Sequence, residues 1–129
     1  MSIIKVSVFF IIIGEGGSGG ALAFCVGNEV WMLENSIYSI ISPEAYATIV
    51  WKDKNKAKDA ANIMGVGADD LYKMKIIDYI VRENTSVTRD DMDDVCRNIE
   101  EKLESFLHRY IAKNQKSILK ERFRRFRKF

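Results

Sequence analysis

The chain reads as an α/β domain with a parallel sheet at its centre, on three grounds. Residues 3–13 (IIKVSVFFIII) are β-branched and aromatic almost throughout, without the alternation of a half-exposed strand. That pattern belongs to a strand covered on both faces. A glycine-rich stretch follows at once and opens a helix. Short strand-like runs then alternate with helical segments as far as residue 81, after which only helices remain.

Taken in order, the strand at 3–13 leads through GEGGSGG (14–20) into a short apolar helix, about Gly19 to Val26, ended by Gly27. Glu29–Leu33 (EVWML) reads as a second strand and 36–41 as a short third one. Ser42-Pro43-Glu44 is a helix start: a serine N-cap, the only proline at the first helical position, then an acid in the first turn. This helix runs to about Trp51. After a lysine-rich passage, Ala57–Met64 forms another helix, broken by Gly65 and Gly67. Asp69–Lys75 gives a further turn or two, and 76–81 (IIDYIV) the last strand. Residues 82–87 form a polar loop. Thr88 with Asp91 makes a capping-box start. Met92, Val95, Ile99, Leu103, Phe106 and Tyr110 then recur at spacings of three and four, the mark of a long amphipathic helix. A final helix spans Ser117 to Lys128.

Composition limits the function classes. With 129 residues, 47% apolar and 29% charged, the chain is the size of one soluble domain. The net charge of +2 hides an asymmetry: residues 116–129 hold seven Lys/Arg and one Glu, leaving 13 basic and 17 acidic groups for the rest. Two distant cysteines, Cys25 and Cys96, and one histidine, His108, give no metal-ligand spacing, so no metal site is expected. Two free thiols point to a reducing compartment, and a cytoplasmic location is expected. Lys5, the apolar run and Ala21-Leu22-Ala23 imitate a secretory signal, but a single lysine and an intervening Glu15 with five glycines argue against one. No stretch reaches the roughly 18 apolar residues of a membrane span.

The glycine stretch is the centre of the functional question. Five of the eight glycines stand at 14, 16, 17, 19 and 20, which calls for unusual torsions or for a ligand approaching bare backbone. Gly14-x-Gly16-x-x-Gly19, with Glu34 twenty residues on, spells the dinucleotide fingerprint. The helix that follows is too short, and the second βαβ half is missing. A tight turn with close helix–strand contact is the purely structural alternative. Gly16-Gly17 and Gly19-Gly20 fit a third reading better: unshielded N–H groups at a strand-to-helix junction, suited to a developing negative oxygen.

GEGGSGGALAF (14–24), VGNEVWMLENSIYSIISPE (26–44), WKDKNKAKDAANIMG (51–65) and DDLYKMKIIDYIV (69–81) stand in the order of one family. They resemble the carboxyltransferase alpha subunit of the multisubunit acetyl-CoA carboxylase of bacteria and plastids, and ERFRRFR (121–127) resembles that family's closing helix. The resemblance implies a crotonase-like spiral of ββα units, incomplete here on its N-terminal side. It makes the chain the C-terminal part of a carboxyltransferase domain, with a core at 3–81 and a helical tail at 88–129. It implies transfer of a carboxyl group from carboxybiotin to acetyl-CoA, giving malonyl-CoA. Biotin would arrive on a separate carrier protein. Zinc is expected only in a partner beta subunit, two alpha subunits assembling with two beta, and biotin carboxylase belongs to the wider complex. Neither nucleic acid nor a membrane is implied as a partner.

At the site, the resemblance implies that the Gly16 and Gly17 amides face the ureido oxygen of biotin. Gly19, Gly20, Ser42, Pro43 and Glu44 are then substrate-binding positions. Three departures from the family pattern stand out. Relatives of this type are about twice as long, Ala45 replaces a usual glycine, and residues 82–87 replace a glycine-containing loop. A non-catalytic fragment keeping only the assembly surface, or a crotonase-type hydratase or isomerase, are the alternatives.

Other candidates have plainer explanations. Glu15 beside an anion-holding amide works against it and reads as a structural carboxylate. Glu44 is explained by its helix start, Ser18 has no histidine near it in sequence, and His108 sits in a charged stretch. Lys52, Lys54, Lys56 and Lys58 form a solvated or phosphate-facing patch. Phe123, Phe126 and Phe129 make one helical stripe, a docking face with a solvated basic back.

Overall fold

The computed structural model describes residues 3–83 and 89–128. In chain order the elements are β1 (Phe9–Ile12), β2 (Glu15–Gly17), α1 (Ser18–Phe24), β3 (Glu29–Leu33), β4 (Ile37–Ser39), α2 (Pro43–Trp51), α3 (Ala57–Met64), α4 (Ala68–Lys73), β5 (Tyr79–Val81), α5 (Arg89–Ile111) and α6 (Gln115–Phe126). β1, β3 and β5 form one sheet in the order β1-β3-β5, and β2 and β4 form a second. Every paired strand runs parallel. The architecture is therefore α/β with parallel ladders, as the sequence leads one to expect.

β3 is the strand buried on both faces. Val30, Trp31 and Met32 expose 2% or less, and successive side chains point to opposite sides. Val30 and Met32 join Ile12, Ile80, Ala68, Leu71 and Ile77 in one core. Trp31 joins Phe106, Tyr110 and Ile118 in the other, so α5 and α6 cover that face. Its ring stacks on Phe9 at 4.7 Å and meets Phe106 edge-on at 6.0 Å. Such aromatic pairs contribute about 0.5–1.5 kcal/mol beyond burial. The one acid in the strand, Glu29, is buried but satisfied: it accepts from Trp31 Nε1 at 2.8 Å and pairs with Arg109 at 3.0 Å.

The run at 3–13 departs from its expectation. Only Phe9–Ile12 is strand, and it lies at the end of the sheet with β3 as its one ladder neighbour. Ile3, Val6 and Ile13 are 83%, 63% and 73% exposed, so the run is not covered on both faces. Ahead of β1 the carbonyls of Ile4 and Val6 accept instead from Arg122 Nη1 and Nη2, at 2.7 and 2.5 Å.

α6 departs from its expectation on its basic side, where two arginines expected in solvent are covered. It begins at Gln115, where Asn114 accepts from the Ser117 amide, two residues earlier than expected. Its inward face is Ile118 and Arg122, with Arg125 largely covered, while Phe123 and Phe126 are 55% and 41% exposed. The basic back is thus not solvated at these two arginines. The reason is hydrogen bonding: Arg122 meets Asn28 Oδ1 and two carbonyls, and Arg125 meets Asp78 and the Ile76 carbonyl. Thr88, most of the 82–87 loop and Phe129 lie outside the described residues, and with them the expected capping box. Among the described residues no helix is long and apolar enough to cross a membrane.

Candidate functional site

The glycine stretch is a strand followed by a helix, not a single turn. Gly16 stands opposite Tyr38 and Gly17 opposite Ser39 in the β2–β4 ladder, and Ile37 N donates to Gly14 O at 3.0 Å. Along a strand, successive amides point to opposite sides. With Ile37 bonded to Gly14, the Gly16 amide is directed towards β4 and the Gly17 amide away from it. The Tyr38 amide shows the matching alternation, reaching Val66 O at 3.0 Å on the far side of β4.

The glycines differ in why they are glycine. A Cβ on Gly16 would lie 3.1 Å from Tyr38 Cδ2 and 3.3 Å from Ile12 Cγ2, so a side chain there forces the Tyr38 ring and Ile12 to give way by a few tenths of an ångström. At Gly17, Gly19 and Gly20 a Cβ would meet no heavy atom within 4 Å. The side-chain space at these three glycines is open. The expectation of unusual torsions in these glycines is not met: Gly17 is extended, with φ −122° and ψ 160°. Ser18 carries the left-handed torsion instead, with φ 68°. A non-glycine residue there costs on the order of 1–2 kcal/mol.

Parallel strands bring their carboxyl ends side by side. β2 runs directly into α1, and β4 runs through Ile40 and Ile41 to Ser42, so α1 and α2 set out from the same end of the ladder. Gly17, Gly19, Gly20, Ser42, Pro43 and Glu44 are thereby grouped by topology. The α2 start is as expected: Ser42 Oγ accepts from the Ala45 amide at 3.2 Å, Pro43 is first in the helix, and Glu44 lies exposed in the first turn. Gly16 stands in the ladder behind them.

Behind the glycine edge lies an apolar groove of about 710 Å³, with Tyr38 and Cys25 in its wall. Tyr38 and Cys25 are neighbours in that wall. Burial, then the Cys25 neighbour, pushes the Tyr38 phenol up to about 12. Burial also pushes the Cys25 thiol up. Tyr38 gives no sign of this role in the sequence, where it is one apolar residue of a short strand. The acid of the fingerprint is engaged elsewhere. Glu34 accepts from Arg82 Nη1 at 2.6 Å and from the Glu83 amide at 3.0 Å. The Glu83 amide and then Arg82 hold its carboxyl below the usual range. Glu15, Lys52, Lys54, Lys56, Lys58 and His108 are all exposed. Among the described residues, no three His, Cys, Asp or Glu side chains stand together as a metal would need.

The class is that of α/β proteins with parallel ladders, here ending in a glycine edge whose side-chain space is open at Gly17, Gly19 and Gly20. Comparison with known proteins says which kind. The model of the acetyl co-enzyme A carboxylase carboxyltransferase-like family matches residues 1–129, and the chain belongs to that family. It is 46% identical over 129 residues to an acetyl-coenzyme A carboxylase carboxyl transferase subunit alpha of Streptococcus pyogenes, covering 100% of this chain and 49% of that protein. It is 42% identical over 127 residues to the subunit alpha of Clostridium acetobutylicum, covering 98% and 46%. A Natranaerobius thermophilus protein with subunits beta/alpha is 46% identical over 127 residues, covering 98% of this chain and 21% of that protein. The chain spans about half the length of the subunit alpha relatives it matches.

Proposed function

We propose that this chain supplies the biotin side of an acetyl-CoA carboxylase carboxyltransferase, as the C-terminal portion of an alpha-type domain with a crotonase-like spiral. The observation that carries the reading is the open backbone from Gly17 to Gly20, in a chain of this family. Nothing within 4 Å occupies the side-chain space at these glycines, so a flat ring has room to lie against the backbone. Carboxybiotin, delivered on a carrier protein, supplies the carboxyl group and leaves negative charge on its ureido oxygen. The Gly17 amide, turned away from β4, donates to that oxygen. Gly16 has a supporting task, letting the Tyr38 ring close on β2 and fix where Gly17 points. Gly19 and Gly20 keep the approach clear, and the Ser42-Pro43-Glu44 start borders it. No acid or base from this chain is required, because the methyl proton of acetyl-CoA goes to the biotin nitrogen.

The partners follow from the same reading. A beta subunit, two of each kind in the assembly, supplies the acetyl-CoA side and a structural zinc. The carrier protein and biotin carboxylase complete the complex in the cytoplasm.

Gly17→Val tests the assignment. The variant is assembled with complementary carboxyltransferase polypeptides of a relative, and malonyl-CoA formation is measured. Loss of one oxyanion donor costs about 10²- to 10³-fold in kcat. ATP-dependent carboxylation of biotin, catalysed by another component, is expected to be unchanged. An assembled Gly17→Val enzyme with near-normal malonyl-CoA formation would leave the glycines as structural residues only.

A further inference from the structure

Two grooves, neither of them lined by Gly17, Gly19 or Gly20, share one side chain. The first is the apolar groove of about 710 Å³, walled by Leu22, Cys25, Met64, Met74 and Phe126 among others. The second, about 460 Å³, runs along Tyr72, Lys73, Lys75, Ile77, Asp78 and Lys128. Arg125 lines both. The chain between α4 and β5 is also divided between them, with Met74 and Ile76 on the apolar side and Lys75 and Ile77 on the other. The grooves are therefore neighbours, one oily and one cationic.

The second groove has a clear excess of positive charge. Lys73, Lys75, Arg125 and Lys128 face the single carboxylate of Asp78. That carboxylate is committed: Oδ2 accepts from the Val30 amide at 2.7 Å and from Arg125 Nη1 at 2.7 Å. Arg125 is held in turn by the Ile76 carbonyl at 2.6 Å, so it is a fixed side chain that both grooves share. Lys73 reaches Asp70 only at 3.9 Å, with both side chains mostly exposed.

We propose that the two grooves form one site for a single-chain amphiphile with a phosphate head group. The chain lies along Leu22, Met64, Met74 and Phe126, and the head meets Lys73, Lys75 and Lys128. Each half of the ligand answers one half of the site. An apolar cavity of this volume falls in the range that holds small ligands, and methionine side chains adapt to an irregular chain. A phosphate monoester carries about −1.5 to −2 charge at neutral pH, and lysine ammonium groups bind it as mobile point charges. None of Gly17, Gly19 and Gly20 lines either groove, and the apolar one adjoins the proposed transfer edge through Ser39, Ile40 and Ile41.

Cys25 reports on occupancy because it lies in the wall of the apolar groove. In a Cys96→Ser background it is the only thiol, and its alkylation rate by iodoacetamide is the readout. The probes are dodecyl phosphate kept monomeric, dodecyltrimethylammonium, inorganic phosphate, and phosphatidylglycerol vesicles. At roughly ten times its Kd, dodecyl phosphate is expected to slow the reaction about tenfold by mass action. The other three are expected to leave the rate unchanged at matched concentration. Lys73→Glu/Lys128→Glu is expected to abolish protection with an unchanged circular dichroism spectrum. If that double reversal unfolds the chain, Lys73→Gln/Lys128→Gln serves for the same comparison. Equal protection by the cationic amphiphile, protection by vesicles alone, no protection at all, or full protection in the lysine variants would each overturn the proposal. None of these outcomes bears on Gly17, whose test is carboxyl transfer.

Discussion

Gly16 and the helical pair Gly19 and Gly20 lie within five residues of one another, yet their substitutions should behave in opposite ways. Adding a methyl at Gly16 forces it against Tyr38 and Ile12, and overpacking of this kind costs about 1–3 kcal/mol. At Gly19 and Gly20, within α1 and in open space, Gly→Ala should raise stability by roughly 0.5–1 kcal/mol, because alanine loses less backbone entropy in a helix. Urea denaturation of the three single variants checks the ranking. A Gly16→Ala protein as stable as the parent would show that Tyr38 does not hold β2. A Gly19→Ala protein that gains stability but loses carboxyl transfer would mark a surface kept bare for a ligand.

Tyr38 and Tyr110 give a pH dependence with a definite sign. Burial is the first cause in both cases, and each phenol is pushed from 10.0 up to about 12. The folded chain therefore keeps two protons that the unfolded chain sheds. Their contribution is fully present below pH 10 and is lost as pH rises from about 10 to about 12. Chemical denaturation across that window should show stability falling, with a shallower fall in Tyr38→Phe. A parent stability that rises between pH 10 and 12 would contradict the burial of these rings.

At the scale of elements, α6 is anchored by charge where its sequence displays aromatics. Arg122 is 2% exposed and ties α6 to Asn28 and to the carbonyls of Ile4 and Val6. Arg122→Met removes their donor and should cost about 1–3 kcal/mol for each acceptor left unsatisfied inside the fold. Phe123→Ala, at a ring 55% exposed, should stay within about 0.5 kcal/mol. Thermal melts of the pair decide whether arginine or phenylalanine holds the helix. The inverted result would restore the aromatic stripe as the inward face.

The whole molecule depends on β3 being covered from both sides. Phe106 of α5 is 2% exposed and contacts the rings of Phe9, Trp31 and Tyr110. Phe106→Ala should cost about 3–5 kcal/mol, as for a large buried aromatic ring. It should also expose Trp31 to solvent, visible as a red shift of its fluorescence. A variant that melts with the parent and keeps a blue emission would mean that α5 does not carry that face. The opposite core, around Leu71 and Ile77, is built from α4 and the segment before β5. It reaches the glycine edge through Tyr38.

Local signals sufficed for much of this architecture. Ser42-Pro43 marks a helix start because its hydrogen bond spans three residues. EVWML at 29–33 is a strand because four consecutive buried residues leave no polar face. The spacing from Val95 to Tyr110 points to an amphipathic helix because 3.6-residue periodicity is a property of the segment itself. The quoted family strings carried the family resemblance, and the importance of the glycines was legible in their clustering. Distant neighbours decided the rest. That Gly14–Gly17 is partly a strand follows from pairing with Ile37–Ser39, 22 residues on. The direction of the Gly17 amide is set by that register, which no local rule contains. Arg122 turns inward because Asn28 and two N-terminal carbonyls await it, about 94 to 118 residues away in sequence. A short apolar strand is visible in its own residues. Which of its amides stays free, and which charge is buried, depends on partners that only folding brings within hydrogen-bond reach.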